Sequence, residues 1–343
     1  MRITAHPRAR WTAAIGTAAL AAAALAGCSA DGGAEPATGD GGAAALTAVD
    51  VIAPADPGGG WDQTARALSA ALTDEGLVDS APVTNIGGAG GTVGLASLAT
   101  ETDAATLMVT GSVMVGAVET NASENRIEDM TPIARLTEEP LVIVVPDASE
   151  FESIDDLVDA IVDRGPEITV TGGSAGGIDN ILAGQLLVAA GVDAADVPST
   201  LNYIPNSGGG EALTMLLGGT AQVGISGVGE FAESVESGDL RALGVSSAEP
   251  ALALPDAPTL QDEGIDIDLT NWRGLLAPGG ISAEEEQQLV DLVTQLAESP
   301  AWAEAVEANG WTDAFQAGEE FQAFLDVDIA QTQETLRTIG LTS

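Results

Sequence analysis

The sequence predicts an α/β fold with mostly parallel sheets, divided into two domains. Short apolar runs rich in β-branched residues alternate with helical patterns along most of the chain, which is typical of βα units. The part after residue 45, roughly 295 residues, exceeds one domain of ordinary size. Glycine is abundant, with 42 residues, whereas aromatic residues make up only 3%.

The predicted elements follow one another in a regular order. Each predicted strand is a short apolar run, and each predicted helix is a longer segment with helical spacing of its apolar residues. The strands are Ala48–Ala53, Val83–Asn85, Thr106–Thr110, Leu141–Val145, Ile168–Thr171, Gln222–Ser226, Leu240–Ser246 and Gly274–Ala277. The helices are Gln63–Thr73, Thr92–Ala99, Ile154–Asp163, Asp179–Ala190, Gly210–Leu217, Val228–Ser237, Ala283–Ser299 and Phe321–Ile339. From Ser282 onward the pattern is helical, and Ser282 is an expected N-cap followed by three Glu residues.

The composition excludes several classes of function. The formal net charge is −42, and all 10 basic residues are Arg. The absence of Lys excludes a P-loop lysine and Schiff-base chemistry. The only His and the only Cys are His6 and Cys28, which excludes a Cys/His zinc site and His-dependent nucleophilic catalysis in the rest of the chain. The negative charge argues against nucleic acid as a partner.

The N-terminus is typical of an exported protein. A basic segment with three Arg precedes an apolar run that ends in Leu-Ala-Gly-Cys, the layout of a signal peptide over residues 1–27. The Cys after small residues resembles a bacterial lipobox, which implies cleavage before Cys28 and lipidation of its thiol. The alternatives are an ordinary signal peptide with an unmodified Cys, or a single transmembrane anchor. Residues 28–45 are rich in Gly, Ala and Asp, which predicts a flexible tether.

Four glycine-rich loops precede predicted helices. We call them loop one (residues 57–63), loop two (residues 85–92), loop three (residues 172–179) and loop four (residues 202–211). The first turn of a helix has free N–H groups and a positive dipole end, and glycine lets an anion approach them closely. The loops therefore predict binding of a carboxylate or a phosphate. Each loop taken alone is equally consistent with a tight turn.

Two motifs that suggest enzymes fail on inspection. Residues 172–176 fit G-x-S-x-G, but that nucleophile needs a His base, which the chain after Cys28 lacks. The dinucleotide pattern that begins at Gly88 fails because position 93 is Val93. We therefore predict no enzyme activity, no cofactor and no metal site.

The loops, taken in order, closely resemble one receptor family. They are similar to the extracytoplasmic solute-binding proteins of tripartite tricarboxylate transporters, also called Bug or TctC receptors. Asn206 departs from the pattern, where an aromatic residue is expected. The motifs that carry the resemblance are Pro-Gly-Gly-Gly-Trp-Asp-Gln at 57–63, Asn-Ile-Gly-Gly-Ala-Gly-Gly-Thr at 85–92, Gly-Ser-Ala-Gly-Gly at 173–177, Tyr-Ile-Pro-Asn-Ser-Gly-Gly-Gly-Glu-Ala at 203–212, Gly-Glu-Phe at 229–231 and Asn-Trp-Arg-Gly at 271–274.

The resemblance implies a two-lobed periplasmic-binding-protein fold of type II. Two crossing segments, placed at Leu141–Pro146 and Leu240–Ser246, would form the hinge. Lobe one would contain residues 46–142 and 246–343, with the helical C-terminal tail on it, and lobe two would contain residues 143–245. Loops one and two would then face loops three and four across a cleft that closes on a ligand.

The resemblance also implies a set of ligand-binding residues. Backbone amides and small hydroxyl groups of the loops would hold the ligand's carboxylates, together with residues at the ends of predicted strands. The set is Gly58, Gly59, Gly60, Asp62, Gly88, Ala89, Gly90, Thr110, Ser112, Ser174, Gly176, Gly177, Tyr203, Ser207, Gly208, Gly209, Ser226 and Arg273.

Several members of this set have a second interpretation. Asp62 can bind the ligand or pair with Arg66 one helical turn away. Glu211 is an acid in a first turn, where one is expected. Tyr203 is expected to pack in lobe two with its hydroxyl near the cleft. Arg273 can contact a carboxylate or form a buried ion pair. Thr110, Ser112 and Ser226 can be plain turn or cap residues.

The function implied is capture of a citrate-like tricarboxylate or a related carboxylate. The receptor would be a monomer, lipid-anchored on the outer face of the cell membrane, and would deliver its ligand to a permease with one large and one small subunit. One alternative is a sensing receptor that presents its closed form to a sensor kinase. Another is an envelope enzyme that works through carboxylates.

Overall fold

The computed structural model of the protein describes residues 46–342. The predicted signal peptide, the Cys28 lipidation site and the tether lie outside these residues. The strands are β1 Asp50–Ala53, β2 Val83–Asn85, β3 Thr106–Gly111, β4 Thr131–Pro146, β5 Thr169–Gly172, β6 Asn202–Pro205, β7 Val223–Gly227, β8 Leu240–Val245, β9 Thr270–Ala277 and β10 Thr312–Ala317. The α-helices are α1 Gly60–Asp74, α2 Thr92–Leu98, α3 Ser112–Thr120, α4 Ile154–Arg164, α5 Ile178–Ala189, α6 Val197–Thr200, α7 Gly209–Leu217, α8 Val228–Glu236, α9 Ala283–Ala297, α10 Pro300–Ala308 and α11 Glu319–Thr338.

The strands form one continuous, mixed sheet. Its order is β2-β1-β3-β9-β4-β7-β5-β6, with β8 and β10 also paired to β4. The pairs at the two ends of the sheet are parallel, whereas β3–β9, β9–β4 and β4–β7 are antiparallel. The expectation of mostly parallel sheets is therefore wrong for the centre, because β9 runs opposite to both of its neighbours.

The long strand β4 divides the molecule into two lobes. Its first part, up to Pro140, pairs with β9 and β10, and its second part, from Leu141, pairs with β7 and β8. A large apolar core surrounds the first part, and two further cores lie on the two faces of the second part. The two-lobed α/β fold is thus confirmed, and the chain first crosses between lobes near residue 140.

The chain crosses back later than the sequence indicated. Ser246 was expected to begin the return, but its backbone carbonyl accepts a hydrogen bond from Leu269 N at 2.8 Å. Between them, Leu254, Leu260 and Ile267 pack into the two cores of the second lobe. The packing of these three side chains therefore places residues 246–269 with lobe two.

The differences in secondary structure follow from local sequence. The first part of β4 contains Glu138, Glu139 and two prolines, so it does not have an apolar strand pattern. The expected all-helical stretch after Ser282 contains strand β10, and its helical part divides into α9, α10 and α11. Ser282 does form the expected cap, with a full capping box to Glu285.

Helix α11 contacts both lobes. Its first half buries Phe321, Leu325 and Ile329 in the core of lobe one. Past its middle, Leu336, together with Ile339 just beyond the helix, packs against Ile181 of α5 in lobe two. The tail is therefore a third link between the lobes rather than a part of lobe one alone. In residues 46–342, no helix combines the length and the apolar character that crossing a bilayer requires.

Leu336→Ala tests this third link. Leu336 is fully buried, so we expect the free energy of unfolding to fall by about 2–4 kcal/mol. The matched control is Val327→Ala on the same helix, where the side chain is 56% exposed and the expected change is within about 0.5 kcal/mol. Urea unfolding followed by circular dichroism gives both values. Equal effects of the two substitutions would contradict the packing described here.

Candidate functional site

A cavity of about 410 Å³ lies between the two lobes. It forms where parallel strands end and helices begin, the usual place for ligands in α/β folds. Loops one to four, α3, α8 and β9 all contribute to its wall. The lining residues are Pro54, Ala55, Gly60, Trp61, Gly88, Ala89, Gly90, Gly91, Val113, Asn121, Gly173, Ser174, Ala175, Asp179, Pro205, Asn206, Ser207, Gly208, Glu211, Ser226, Glu230, Asn271 and Arg273.

The lobes touch each other at the rim of this cavity. A Cβ placed on Gly208 of lobe two would lie 3.8 Å from the Cα of Gly59 in lobe one. Thr120 Oγ1 on α3 donates a hydrogen bond to the backbone carbonyl of Ala175 in loop three at 3.3 Å. These contacts across the cleft describe a closed arrangement of the lobes.

Loop one uses one of its amides to bind its own helix. Gly58 N donates to Asp62 Oδ2 at 2.8 Å, and Asp62 also accepts from Arg66 and from Asn85. Although burial acts in the opposite direction, these hydrogen bonds lower the pKa of Asp62 below its ordinary value. Asp62 therefore stays ionised and organises the start of α1, which is the structural role that the sequence allowed.

Loop two has an unusual left-handed backbone. Gly88, Ala89, Gly90 and Gly91 all have positive φ, and Ala89 at φ 49° is the residue there with a side chain. At Gly91 a Cβ would lie 2.7 Å from the indole ring of Trp61, so this position requires glycine. The carbonyl of Ala89 accepts hydrogen bonds from Thr92 and Asn121. Lobe one thus holds a strained turn against the cavity, as ligand-binding loops often do.

Two side chains from the first turn of α5 accept hydrogen bonds from backbone amides of loop three. Gly173 N donates to Asp179 Oδ2 at 2.6 Å, and Gly176 N donates to Asn180 Oδ1 at 3.0 Å. Tyr203 Oη donates to the carbonyl of Gly173 at 2.9 Å while its ring packs on the lobe-two core. This confirms the expected packing role of Tyr203, and the half-buried Ser174 is the hydroxyl-bearing residue of the loop.

Backbone amides of loop four likewise donate hydrogen bonds to acidic side chains of the protein. Ser207 N donates to Glu211 Oε2 at 2.9 Å, and Gly209 N donates to Glu230 Oε1 at 3.0 Å. Ser226 Oγ donates to Glu230 Oε2 at 2.6 Å. In loops one, three and four, the protein's own carboxylates therefore already accept from the glycine-rich segments.

Arg273 on β9 is the single guanidinium in the cavity wall. It forms a buried ion pair with Glu139 of β4, since both side chains are at most 3% exposed. Its Nη1 atom is buried without a hydrogen-bond partner among residues 46–342. The ion-pair interpretation of Arg273 is confirmed.

Burial changes the pKa of two further acids in the wall. Burial raises the pKa of Asp179 to about 8, although the hydrogen bond from Gly173 N opposes this shift, and Glu230 and Glu139 add to it. Burial likewise raises the pKa of Glu230, against the effect of Ser226. The Tyr203 phenol is also buried, which raises its pKa well above the ordinary value. At neutral pH, Asp179 is therefore a neutral acid in this structure.

The structure brings about half of the expected site residues to the cavity. These are Gly60, Gly88, Ala89, Gly90, Ser174, Ser207, Gly208, Ser226 and Arg273. Outside its lining lie Gly58, Gly59, Asp62, Thr110, Ser112, Gly176, Gly177, Tyr203 and Gly209. Thr110 is fully buried and donates to Met114 Sδ, and Ser112 Oγ accepts from Trp272 N behind the cavity.

The sequence reasoning missed the buried acids. Asp179 falls on the apolar face of its helix, in register with Leu182, Ala183 and Leu186, all buried. An acid at such a position needs a partner or a function. Glu230 is half-buried and lies in the first turn of α8, where an acid is expected in any case, so its position gave no such signal. Comparing each acid with the spacing of the buried apolar residues of its helix would have separated Asp179 from the many surface acids.

The arrangement suits binding of a small polar molecule better than bond cleavage. The wall offers small hydroxyl groups, loop amides, one guanidinium and neutral or ionised carboxyl groups. Over the residues that the structure describes, no cluster of three or more His, Cys, Asp or Glu side chains could hold a metal ion. The cleft between two hinged lobes gives a route for the molecule to enter and to be enclosed.

Comparisons with known proteins agree with this geometry. The family model described as "Tripartite tricarboxylate transporter family receptor" matches residues 64–341. Protein BugT of Bordetella pertussis is 27% identical over 298 residues, which cover 85% of this chain and 89% of BugT. MatC from Rhodopseudomonas palustris, solved with bound malate, is 21% identical with a TM-score of 0.70, covering 86% of this chain and 99% of MatC. R. palustris Rpa4515, solved with adipate, is 20% identical with a TM-score of 0.76, covering 86% and 98%.

The raised pKa of Asp179 predicts a pH-dependent stability. Folded protein keeps this proton up to about pH 8, whereas an unfolded chain loses it near pH 4, roughly the ordinary Asp pKa. The wild type should therefore lose stability relative to Asp179→Asn as pH rises through this interval, by at most about 1.4 kcal/mol per pH unit. Chemical unfolding of both proteins between pH 5 and pH 9, values set by roughly this interval, measures the difference. A difference that stays constant with pH would contradict the assignment.

Proposed function

We propose that the chain, which belongs to the tripartite tricarboxylate transporter receptor family, captures a small polycarboxylate outside the cytoplasm for delivery to a permease. The family consists of extracytoplasmic solute-binding receptors. Its members bind rather than transform their ligands, so we propose no catalytic step. The cargo we propose is a citrate-like tricarboxylate or a related dicarboxylate.

One observation carries the proposal: a closed interlobe cavity whose wall includes Arg273, a guanidinium whose buried Nη1 atom has no hydrogen-bond partner among residues 46–342. A buried donor without a partner has a cost in free energy, and an anionic ligand oxygen would remove that cost. Guanidinium groups bind carboxylates well because their donors match the geometry of the two oxygens. MatC and Rpa4515 have malate and adipate in their structures, which supports a carboxylate as the ligand class.

We propose that both lobes hold the ligand. From lobe one, Arg273 and the backbone amides of loop two, at Ala89 and Gly90, would bind one end. From lobe two, the hydroxyl groups of Ser174 and Ser207 would bind the other end. All five residues line the cavity. Since the groups of lobe two reach the ligand only when the cleft is closed, ligand binding favours the closed state.

The expected strength is compatible with a scavenging receptor. Four to six hydrogen bonds to charged groups contribute roughly 6–18 kcal/mol before the costs of association. After those costs, a dissociation constant near 1 μM, about −8 kcal/mol, is reasonable. A cavity of about 410 Å³ also matches a small organic acid.

The remaining parts of the proposal concern the setting of the receptor. We propose that Cys28 is lipidated and anchors a monomer to the outer face of the cell membrane through the tether of residues 28–45. A permease with one large and one small membrane subunit would receive the ligand. These assignments depend on the sequence of residues 1–45 and on family membership. Mass spectrometry of the membrane-extracted protein tests the lipid directly.

Isothermal calorimetry with a panel of acids tests the ligand class. The panel contains citrate, tricarballylate, malate, succinate, adipate and glutamate. We expect at least one di- or tricarboxylate to bind with a dissociation constant of about 1–10 μM and to be recovered unchanged. If none of them binds, the proposed ligand class is wrong. Conversion of a bound acid into a product would instead favour an enzyme.

Gly208→Val tests closure of the lobes. Gly208 has extended backbone, and its nearest neighbour across the cleft is the Cα of Gly59, so a larger side chain obstructs the closed state without backbone strain. We expect at least tenfold weaker binding, about 1.4 kcal/mol, with little change in the unfolding midpoint. The control is Gly210→Val, where a Cβ meets no atom within 4 Å. Equal affinities for the two variants would contradict closure at this contact.

A further inference from the structure

The cavity contains more carboxyl groups than cationic groups. Asp179, Glu211 and Glu230 line it, whereas Arg273 is the one basic residue of its wall and is already paired with Glu139. Asp179 is buried and Glu230 is half-buried, whereas Glu211 is exposed. A carboxylate ligand enclosed beside Asp179 and Glu230 in their ionised forms would be repelled in a low-dielectric environment. The proposed function therefore requires some way to neutralise these two acids.

We propose that Asp179 and Glu230 bind the ligand as neutral acids, so that the receptor captures a carboxylate ligand together with protons from the solvent. This inference depends on the proposed function, because it specifies how the same cavity accepts an anion. It assigns to both residues a direct part in ligand selectivity.

Asp179 has the geometry of a donor to the cavity. Its Oδ2 is occupied by the hydrogen bond from Gly173 N at 2.6 Å. Because one oxygen is held by the loop, a proton on the other oxygen can be donated to a ligand carboxylate. Hydrogen bonds between a carboxylic acid and a carboxylate are short and strong when water is excluded.

Glu230 acts through Ser226. Both of its oxygens already have partners, Gly209 N at 3.0 Å and Ser226 Oγ at 2.6 Å. When Glu230 takes up a proton, the acid can donate to Ser226 Oγ, and the serine hydroxyl hydrogen is then free to turn towards the cavity. Ser226 lines that cavity, so one added proton supplies one new donor to the ligand.

The surroundings of these two acids are mainly acidic. Glu139 on β4 and Arg273 on β9 act on the pKa of both acids, and Glu230 further raises the pKa of Asp179. Asp179 also lies near Tyr203 on β6, whose phenol is kept neutral by burial. Glu211 on α7 lies at the rim. Since Arg273 is shared with Glu139, no second cation balances Asp179 and Glu230, and an incoming anion raises their proton affinity further.

The sign of the pH effect follows. Below about pH 7 Asp179 should already be neutral, because its pKa is about 8, and it should then add no pH dependence to ligand affinity. Burial raises the pKa of Glu230 in the same direction. Above about pH 8, each linked proton makes binding weaker by up to tenfold per pH unit. The ligand itself does not titrate in this range if it is a simple dicarboxylate.

The experiment is calorimetry of the wild-type protein with malate, adipate and citrate at several pH values between about 6.5 and 9.5, chosen to bracket the expected transition. At each pH, two buffers with different ionisation enthalpies give the number of protons taken up per ligand bound. We expect Asp179 to contribute no uptake at the lowest pH and the total uptake to approach one or two protons at the highest, with the matching loss of affinity.

Variants assign the protons to residues. Asp179→Asn and Glu230→Gln keep an oxygen acceptor for Gly173 N and Gly209 N, and each should reduce the proton uptake by about one and flatten the pH dependence. The matched control is Glu211→Gln, which removes one negative charge from the exposed rim and should leave the uptake unchanged. The wild-type uptake is a sufficient test if a variant fails to fold.

The outcomes separate this inference from the proposed function. Binding without proton uptake at any pH, or with proton release, overturns the inference and leaves the receptor function in place. Tight binding of glutamate that is lost in Asp179→Asn also overturns it, because ionised acids would then hold an ammonium group. If no acid of the panel binds, the proposed function fails, and this inference fails with it.

Discussion

The ion pair between Arg273 and Glu139 connects the fold to the cavity. Glu139 lies on β4 immediately before the chain enters lobe two. Arg273 lies on the neighbouring strand β9, where the chain has returned to lobe one. An isolated buried charge is very unfavourable, and breaking such a pair from one side costs about 3–5 kcal/mol. The two strands that cross between the lobes are therefore held in register by the same contact that directs a guanidinium into the cavity.

This pair also limits what the cavity can bind. The one cation of the cavity wall is already paired with Glu139, so the ligand's charge must be met by hydrogen-bond donors. Glycine-rich turns are suited to supply them, yet in three of the four loops an amide already donates to Asp62, Asp179, Glu211 or Glu230. These internal carboxylates preorganise the loops when the cavity has no ligand, and such preorganisation reduces the cost of binding.

The sequence was informative about loops and much less so about contacts between distant residues. The order of glycine-rich loops, strands and helices follows local patterns, so the α/β class and the division into two domains could be predicted, whereas the lobes and the cleft were implied by the family resemblance of the loops. The first part of β4 could not, because its strand pattern is interrupted by Glu139, whose burial makes sense only beside Arg273, 134 residues later. The role of Asp179 was hidden for the same reason. Its position on an apolar helix face was visible, but the cavity beside it depends on three other elements.

Helix α11 has a consequence for the release of a bound molecule. It is continuous from the core of lobe one to the contact of Leu336 and Ile339 with Ile181 in lobe two. Because α11 packs against both lobes, it resists their separation. Full opening of the cleft must therefore bend α11 or break its contact with α5. Opening of the cleft is therefore coupled to the contact of Leu336 and Ile339 with Ile181.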